Sequence, residues 1–215
     1  MNHTAPLLHV NHPLLASVIT DQGGETFREN AFWHAYVIAQ SLLERFSLQD
    51  PQVISFPRGG VATGVGVKRA FKGIKHQFTT LPFGKHGLDQ TLPLVDLDEK
   101  TDLILVDGVI ATGSTLIRYL QLVREKNPHW QGRLFIISNM AAEFGYETLI
   151  GFCKEYGLEL CCLATGYLVP PTECIWKEIG GKRIYFVGVS QSIGDFGDMA
   201  IKDLSAQELA NWDLA

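Results

Sequence analysis

The segment 103–115 constrains this chain most, because it passes from a buried-strand pattern through a small-residue turn into a helix. Its sequence is LILVDGVIATGST. Residues 103–106 form a continuous apolar run, which is typical of a strand that is covered on both faces of a parallel sheet. Residues 116–123 then switch to helical spacing. The sequence therefore predicts a turn at the carboxyl end of a strand, where a helix begins.

This turn has the chemistry of an anion site. Its small residues let a phosphate approach the backbone and accept N–H hydrogen bonds, where the helix dipole already favours negative charge. They are Ala111, Thr112, Gly113, Ser114 and Thr115. Asp107 precedes the turn, and its carboxylate can accept hydrogen bonds from the vicinal hydroxyls of a sugar. An acid and an anion cradle so close together suit a ribose 5-phosphate.

Strand-like and helix-like segments alternate along the rest of the chain. Strands are predicted over 53–56, 76–81, 132–138, 158–163 and 183–187, and helices over 31–46, 61–71 and 142–156. Strands that are separated by helix-length segments imply crossover connections and ligands at the carboxyl ends of the strands. The predicted fold class is α/β, with a mainly parallel central sheet flanked by helices.

Length and composition limit the number of domains and the classes of partner that we expect. With 215 residues, 46% of them hydrophobic, and no linker-like break, the chain is predicted to be a single domain over 1–215. The net charge of −5 argues against a nucleic-acid surface. No apolar stretch approaches the roughly 20 residues of a membrane span, and the start lacks the pattern of a signal peptide. We therefore expect a cytoplasmic protein that binds neither nucleic acid nor membrane.

Segment 106–115 resembles the phosphoribosyl-pyrophosphate (PRPP) motif of type I phosphoribosyltransferases. Its single acid, Asp107, and its ATGST ending are nearest to the uracil phosphoribosyltransferase branch. Other segments resemble the same family in the same order: HPLL at 12–15 with ETFRE at 25–29, FPRGG at 56–60, and VSQSIGDFGD at 189–198. The resemblance implies the type I phosphoribosyltransferase fold, with a flap at about 82–100 and a base-binding hood loop at about 188–199.

The resemblance also implies an activity, namely the formation of UMP and pyrophosphate from uracil and PRPP, with Mg²⁺ as cofactor and a homodimer or higher homo-oligomer as the assembly. Arg58, Asp107 and Asp195 would be the catalytic residues. The implied PRPP-binding residues are Arg58, Gly59, Gly60, Lys85, Asp107 and the five residues of the turn. Val189, Gly194, Asp195 and Phe196 would bind the base. Mg²⁺ would be held through PRPP oxygens rather than directly, with Asp195 contacting it through water.

The chain departs from the family pattern on the base and flap sides. Residues 190–193 are SQSI where the family has Val-Pro-Gly-Leu, and Met199 stands where an arginine is common. In the flap, Lys85 replaces the family's arginine, and lysine lacks the bidentate fork of a guanidinium group. Two alternatives therefore stay open. One is a PRPP- or nucleotide-sensing regulator with little or no turnover, and the other is a transferase for another base, such as a purine.

Overall fold

The computed structural model describes residues 6–20, 24–56, 60–78, 95–179 and 181–187. The strands in these ranges are β1 (Leu7–His9), β2 (Gln52–Ser55), β3 (Lys75–Phe78), β4 (Leu103–Ile110), β5 (Leu134–Ala142), β6 (Leu160–Val169), β7 (Cys174–Ile179) and β8 (Lys182–Val187). The helices are α1 (Leu14–Thr20), α2 (Glu25–Arg45), α3 (Gly60–Ala70), α4 (Ser114–Lys126) and α5 (Glu143–Glu155), with a 3-10 turn at Pro171–Glu173.

The central sheet is parallel. Within the described ranges it has six strands, in the order β1-β6-β5-β4-β2-β3, and every neighbouring pair runs parallel. Strands β7 and β8 form a separate antiparallel pair. The predicted fold class, a mainly parallel sheet flanked by helices, is therefore confirmed.

Helices cover both faces of this sheet. Leu103 and Leu105 of β4 pack into one apolar core with residues of α4 and α5. Ile104 and Val106 face the opposite way and pack with residues of α2 and α3. A strand that is buried on both faces has no polar side to alternate with, which explains why residues 103–106 form an unbroken apolar run.

The chain connections diverge between β2 and β4. Strand β2 leads through α3 outward to β3, whereas its neighbour β4 leads through α4 in the opposite direction to β5. Helices α3 and α4 lie on opposite faces of the sheet. A crevice forms at the carboxyl ends of strands where such connections part, and it is the usual ligand site of open α/β sheets.

Several boundaries differ from the sequence predictions. Strand β4 runs to Ile110, so Asp107 lies inside the strand and not at its end. Helix α2 begins at Glu25, earlier than predicted, because its first turn is largely polar and shows little apolar period. Strand β1 was not predicted, since its three residues are too few to show a strand period in the sequence. No helix among the described residues has the length and hydropathy needed to cross a bilayer.

Candidate functional site

The turn after β4 forms an open helix start. Gly113 has a φ of 75°, in the left-handed region that glycine adopts without strain. The amide of Ile117 donates to the Gly113 carbonyl at 3.0 Å. The three amides before it, of residues 114–116, have no acceptor within the helix and project from its amino-terminal end. These amides are the donors that an anion at this position would use.

Two hydroxyl groups lie beside these amides. The Oγ1 of Thr112 donates to the Oγ of Ser114 at 3.0 Å, and the Ser114 amide lies 3.4 Å from the same Oγ1. Ser114 is exposed, and Thr112 and Thr115 are half-buried. The first turn of α4 contains no acidic residue, so no carboxylate of the helix competes with an incoming anion.

Close packing against α5 holds the turn in place. A Cβ on Gly145 would lie 2.5 Å from the Ala111 carbonyl oxygen, so only glycine allows this approach. On the other side, a Cβ on Gly113 would lie 3.1 Å from the Gly145 carbonyl oxygen and 3.1 Å from Cγ of Leu149. The turn is therefore fixed by backbone contacts before any ligand arrives.

The backbone of Asp107 lies against the start of α3. A Cβ on Gly60, the first residue of α3, would lie 3.1 Å from the Val106 carbonyl oxygen and 3.5 Å from Cα of Asp107. The amide of Phe56, at the end of β2, donates to the same Val106 carbonyl at 3.0 Å. Helix α3, like α4, has no acidic residue in its first turn. The half-buried Asp107 thus lies beside the start of α3 at the divergence of β2 and β4, and α4 begins seven residues further along the chain.

The third helix at this edge differs in charge. Helix α5 follows β5 directly and carries Glu143 in its first turn. A carboxylate there already interacts favourably with the positive end of the helix dipole and repels a second anion. Of these three helix starts, those of α3 and α4 therefore suit an anion better than that of α5.

Part of the predicted site lies in the described ranges. Gly60, Asp107 and the turn residues 111–115 meet at one edge of the sheet. The other predicted residues lie outside the described residues: Arg58, Gly59, Lys85, Val189, Gly194, Asp195 and Phe196. The loop at 188–199 and most of the flap, 82–94, lie outside them as well.

The last residues of the predicted flap are anchored to α4. Val95 is 3% exposed and belongs to the core beside that helix. Asn127 accepts a hydrogen bond from the Leu97 amide and donates one to the Val95 carbonyl, both at 3.0 Å. We therefore restrict the flap prediction to residues before Val95.

Some residues that shape the site were not singled out in the sequence. Gly145 was missed, although an isolated glycine within a helical pattern is a known sign of close packing. A buried hydrogen-bonded group of His34, Thr63 and Asn139 was also missed, because its members are far apart in the chain and carry no motif. Asn139 in particular lies in an apolar stretch whose pattern predicts a strand and gives no sign of a polar contact.

No family model matches this chain, and no curated protein matches it. Solved structures resemble it. The AQ2163 protein from Aquifex aeolicus is 15% identical, with a TM-score of 0.64, over 94% of this chain and 100% of that one. TT1426 from Thermus thermophilus is 15% identical, with a TM-score of 0.51, over 86% and 96%. At such identities the likeness shows a shared fold and no more.

Phosphoribosyltransferases are also among the structures that match. A purine phosphoribosyltransferase from Pyrococcus horikoshii is 14% identical, with a TM-score of 0.41, over 80% of this chain and 95% of that one. This likeness is too distant to indicate a reaction.

Proposed function

We propose that this protein binds PRPP and transfers its phosphoribosyl group to a nucleobase, with release of pyrophosphate. The observation that carries the proposal is the position of Asp107 where the connections of β2 and β4 diverge, with the start of α3 against its backbone and the acid-free start of α4 seven residues further along the chain. An acid in the same crevice as two helix starts that favour anions suits a sugar with phosphate groups on both sides.

The turn after β4 would hold the 5-phosphate. The amides of residues 114–116, which have no acceptor within the helix, and the hydroxyls of Thr112 and Ser114 would supply donors for the phosphate oxygens. Asp107 would accept hydrogen bonds from the ribose hydroxyls. These contacts fix the sugar ring relative to the sheet, so the reacting carbon is presented in one orientation.

The start of α3 would face the pyrophosphate. Gly60 brings the helix end against Asp107, and Arg58 and Gly59 immediately precede it in the chain. Arg58, with Lys85 from the flap, would neutralise the leaving group. Stabilising the departing charge and holding the base in line are the main catalytic needs of a displacement at an anomeric carbon.

Magnesium fits the donors of this site. The described donors are oxygen atoms, a carboxylate and hydroxyls, which are the ligands that Mg²⁺ prefers. One protein acid is few for a protein-held ion, so PRPP oxygens would supply most of the ligands and Asp195 would contact it through water. When bound, Mg²⁺ would supply positive charge to the pyrophosphate.

Uracil is the proposed base, supported by the single acid of the PRPP motif and by the GDFGD sequence at 194–198. Val189, Gly194 and Phe196 would bind the base through backbone groups and ring contact.

All four cysteines are free thiols, which suits the reducing cytoplasm. We propose a homodimer or higher homo-oligomer on the resemblance alone.

The deciding experiment measures Mg²⁺-dependent PRPP binding by calorimetry and pyrophosphate release with uracil, adenine, hypoxanthine and guanine in turn. Asp107→Ala should weaken PRPP binding about 10- to 100-fold, since hydrogen bonds to a charged group contribute about 1.5–3 kcal/mol. Asp98→Ala, at an exposed acid outside the site, is the control and should bind normally.

PRPP binding without pyrophosphate release on any base would favour the sensor. Release with a purine alone would mean that the substrate is that purine and not uracil. Absence of PRPP binding in the unaltered protein would contradict the proposal.

A second variant tests the phosphate cradle separately from stability. Ser114→Asp places a carboxylate at the start of α4, where it should leave helix stability equal or raise it by about 0.3–1 kcal/mol. The same charge should repel the 5-phosphate and lower PRPP affinity more than tenfold. Ser114→Asn, of similar size and uncharged, should cost less. Equal affinities for the two variants would contradict a phosphate at this helix end.

A further inference from the structure

Three buried polar side chains join α2, α3 and β5 behind the candidate site. His34, Thr63 and Asn139 are each fully buried. The Oγ1 of Thr63 donates to Oδ1 of Asn139 at 2.5 Å. The Nδ2 of Asn139 donates to the Ala31 carbonyl at 3.1 Å and lies 2.9 Å from Nδ1 of His34. Such a group is costly to bury unless its members satisfy one another, and these bonds offset most of that cost, while Nε2 of His34 has no hydrogen-bond partner among the described residues.

The hydrogen bonds leave one arrangement of protons. The Asn139 amide cannot be reversed, because its oxygen would then face the Ala31 carbonyl oxygen. Its nitrogen therefore donates to His34, so Nδ1 of His34 accepts and the ring carries its hydrogen on Nε2. The ring lies against Gly166, where a Cβ would be 2.1 Å from Cε1 of His34. A second proton, at Nδ1, would set a donor against a donor.

This group lies one helical turn from the site. Thr63 follows Gly60 by three residues, so both are on the same face of the first turn of α3. Gly60 is the residue that touches the backbone of Asp107, and the Thr63 hydrogen bond ties the same turn to β5. The bond thereby fixes the distance between the start of α3 and the acid.

We propose that His34, Asn139 and Thr63 are positioning residues that hold the start of α3 against Asp107, and that protonation of His34 at Nδ1 releases this hold. The effect on PRPP binding rests on the proposed function, whereas the hold on α3 does not. The three residues touch no substrate and act through the placement of Gly60 at the start of α3.

The surroundings of His34 keep it neutral. The neighbouring faces of α3, β5 and β6 contribute Thr63, Asn139 and Gly166, none of which titrates. The segment before α1 contributes His12, whose positive charge opposes a second one. Burial, with a smaller contribution from His12, lowers the pKa of His34 from 6.5 to about 4. The hold should therefore persist at neutral pH and weaken as the pH approaches that value.

Thr63→Val and Thr63→Ser form the matched pair that tests this proposal. Valine keeps the shape and removes the hydroxyl donor, and serine keeps the donor. Amide hydrogen exchange at residues 64–67, whose acceptors are the carbonyls of 60–63, measures the hold on α3, with α5 as the internal reference. Valine should raise exchange several-fold in α3 alone, and serine should restore protection to within about twofold of the unaltered protein.

PRPP binding gives the second readout. Thr63→Val should weaken binding several-fold at pH 7, with a larger effect on KM than on kcat, and serine should rescue it. Lowering the pH to 4.5 should weaken binding more in the unaltered protein than in Thr63→Val, which has already lost the hold. Equal binding and equal α3 exchange in the valine variant would overturn the proposal.

The two proposals fail in different ways. If the unaltered protein does not bind PRPP, the proposed function fails, and the exchange data still decide whether the group holds α3. If Thr63→Val does not fold, exchange in the unaltered protein at pH 7 and pH 4.5 replaces it. An α3 that loses no protection relative to α5 at pH 4.5 would then overturn the inference.

Discussion

At the scale of single residues, the shape of the site depends on glycines, whose lack of a side chain allows close backbone contacts. Gly145 sits on α5 against Ala111, and a Cβ there would lie 2.5 Å from the Ala111 carbonyl oxygen. Gly151 is on the same helix, and a Cβ there would meet nothing within 4 Å. The two glycines therefore form a matched pair within one helix, one with a packing role and one without.

We expect Gly145→Ala to destabilise the protein by about 1–3 kcal/mol, because the backbone of the turn has to shift. It should also weaken PRPP binding, since the turn would no longer be held in place. Gly151→Ala should stabilise by about 0.5–1 kcal/mol, as alanine favours helix over glycine, and leave binding unchanged. Thermal unfolding and calorimetry of both variants check this. Similar effects from the two substitutions would show that the contact with Ala111 is unimportant.

The sequence predicted the small residues of the turn and missed what holds them. Asp107 and residues 111–115 could be predicted because they are contiguous, and their chemistry is visible in side-chain size and hydrogen-bonding groups. Asn139 and His34 could not, because their roles come from contacts between elements more than 30 residues apart in the chain, and Gly145 showed only the general sign of a helical glycine and not its partner Ala111. A buried amide within a strand looks, in sequence, like an interruption of the apolar pattern.

At the scale of elements, the end of α4 anchors the segment that returns from the flap. Asn127 is the C-cap of this helix, and its side chain bonds the Leu97 amide, the Val95 carbonyl and the Val123 carbonyl. The Nε2 of Gln52, from β2, also donates to the Asp96 carbonyl at 3.2 Å. Residues 95–97 are thus bonded to two elements of the core.

Asn127→Ala should loosen residues 95–97 and leave α4 folded. The substitution leaves the buried Val95 carbonyl without its side-chain partner, at a cost of about 1–3 kcal/mol, and removes the acceptor of the half-buried Leu97 amide. Hydrogen exchange should rise at Leu97 and stay unchanged in the middle of α4. Asn127→Asp keeps the acceptor for the Leu97 amide and should show a smaller rise. A uniform rise across α4 would mean that the side chain caps the helix and does not anchor the segment.

The element order was largely predictable, because strands buried on both faces give unbroken apolar runs and helices give a 3.6-residue period. Strand β4, its turn and α4 were predicted on that basis. The extension of β4 to Ile110 was not, since Asp107 and Gly108 interrupt the apolar run while the ladder with β5 continues past them. The hydrogen bonds that a strand makes to its neighbour cannot be recognised from the sequence of that strand alone.

At the scale of the whole molecule, the buried His34 makes stability depend on pH. Its pKa is about 4 in the folded protein, and 6.5 is the ordinary value expected after unfolding. Between these values the unfolded chain binds more protons, so the free energy of unfolding falls as the pH falls. The contribution is fully present above about pH 6.5 and is lost progressively toward pH 4.

Urea unfolding at pH 7 and pH 4.5 measures this loss. The shift in the pKa of His34 corresponds to about 2–3 kcal/mol between these two pH values, on top of what the carboxylates contribute. His34→Gln removes the titrating group and offers an oxygen to the Asn139 amide, so it should be less stable at pH 7 and lose less stability on acidification. The difference between the two pH slopes isolates His34 from the carboxylates, which are the same in both proteins. Because the hydrogen-bonded group joins α2, α3 and β5, this loss should appear in the cooperative unfolding of the whole sheet and not as a separate early transition. Equal slopes in the two proteins would contradict this prediction. They would mean that His34 binds a proton as easily in the folded protein as in the unfolded chain, despite the hydrogen bond that the Asn139 amide donates to it.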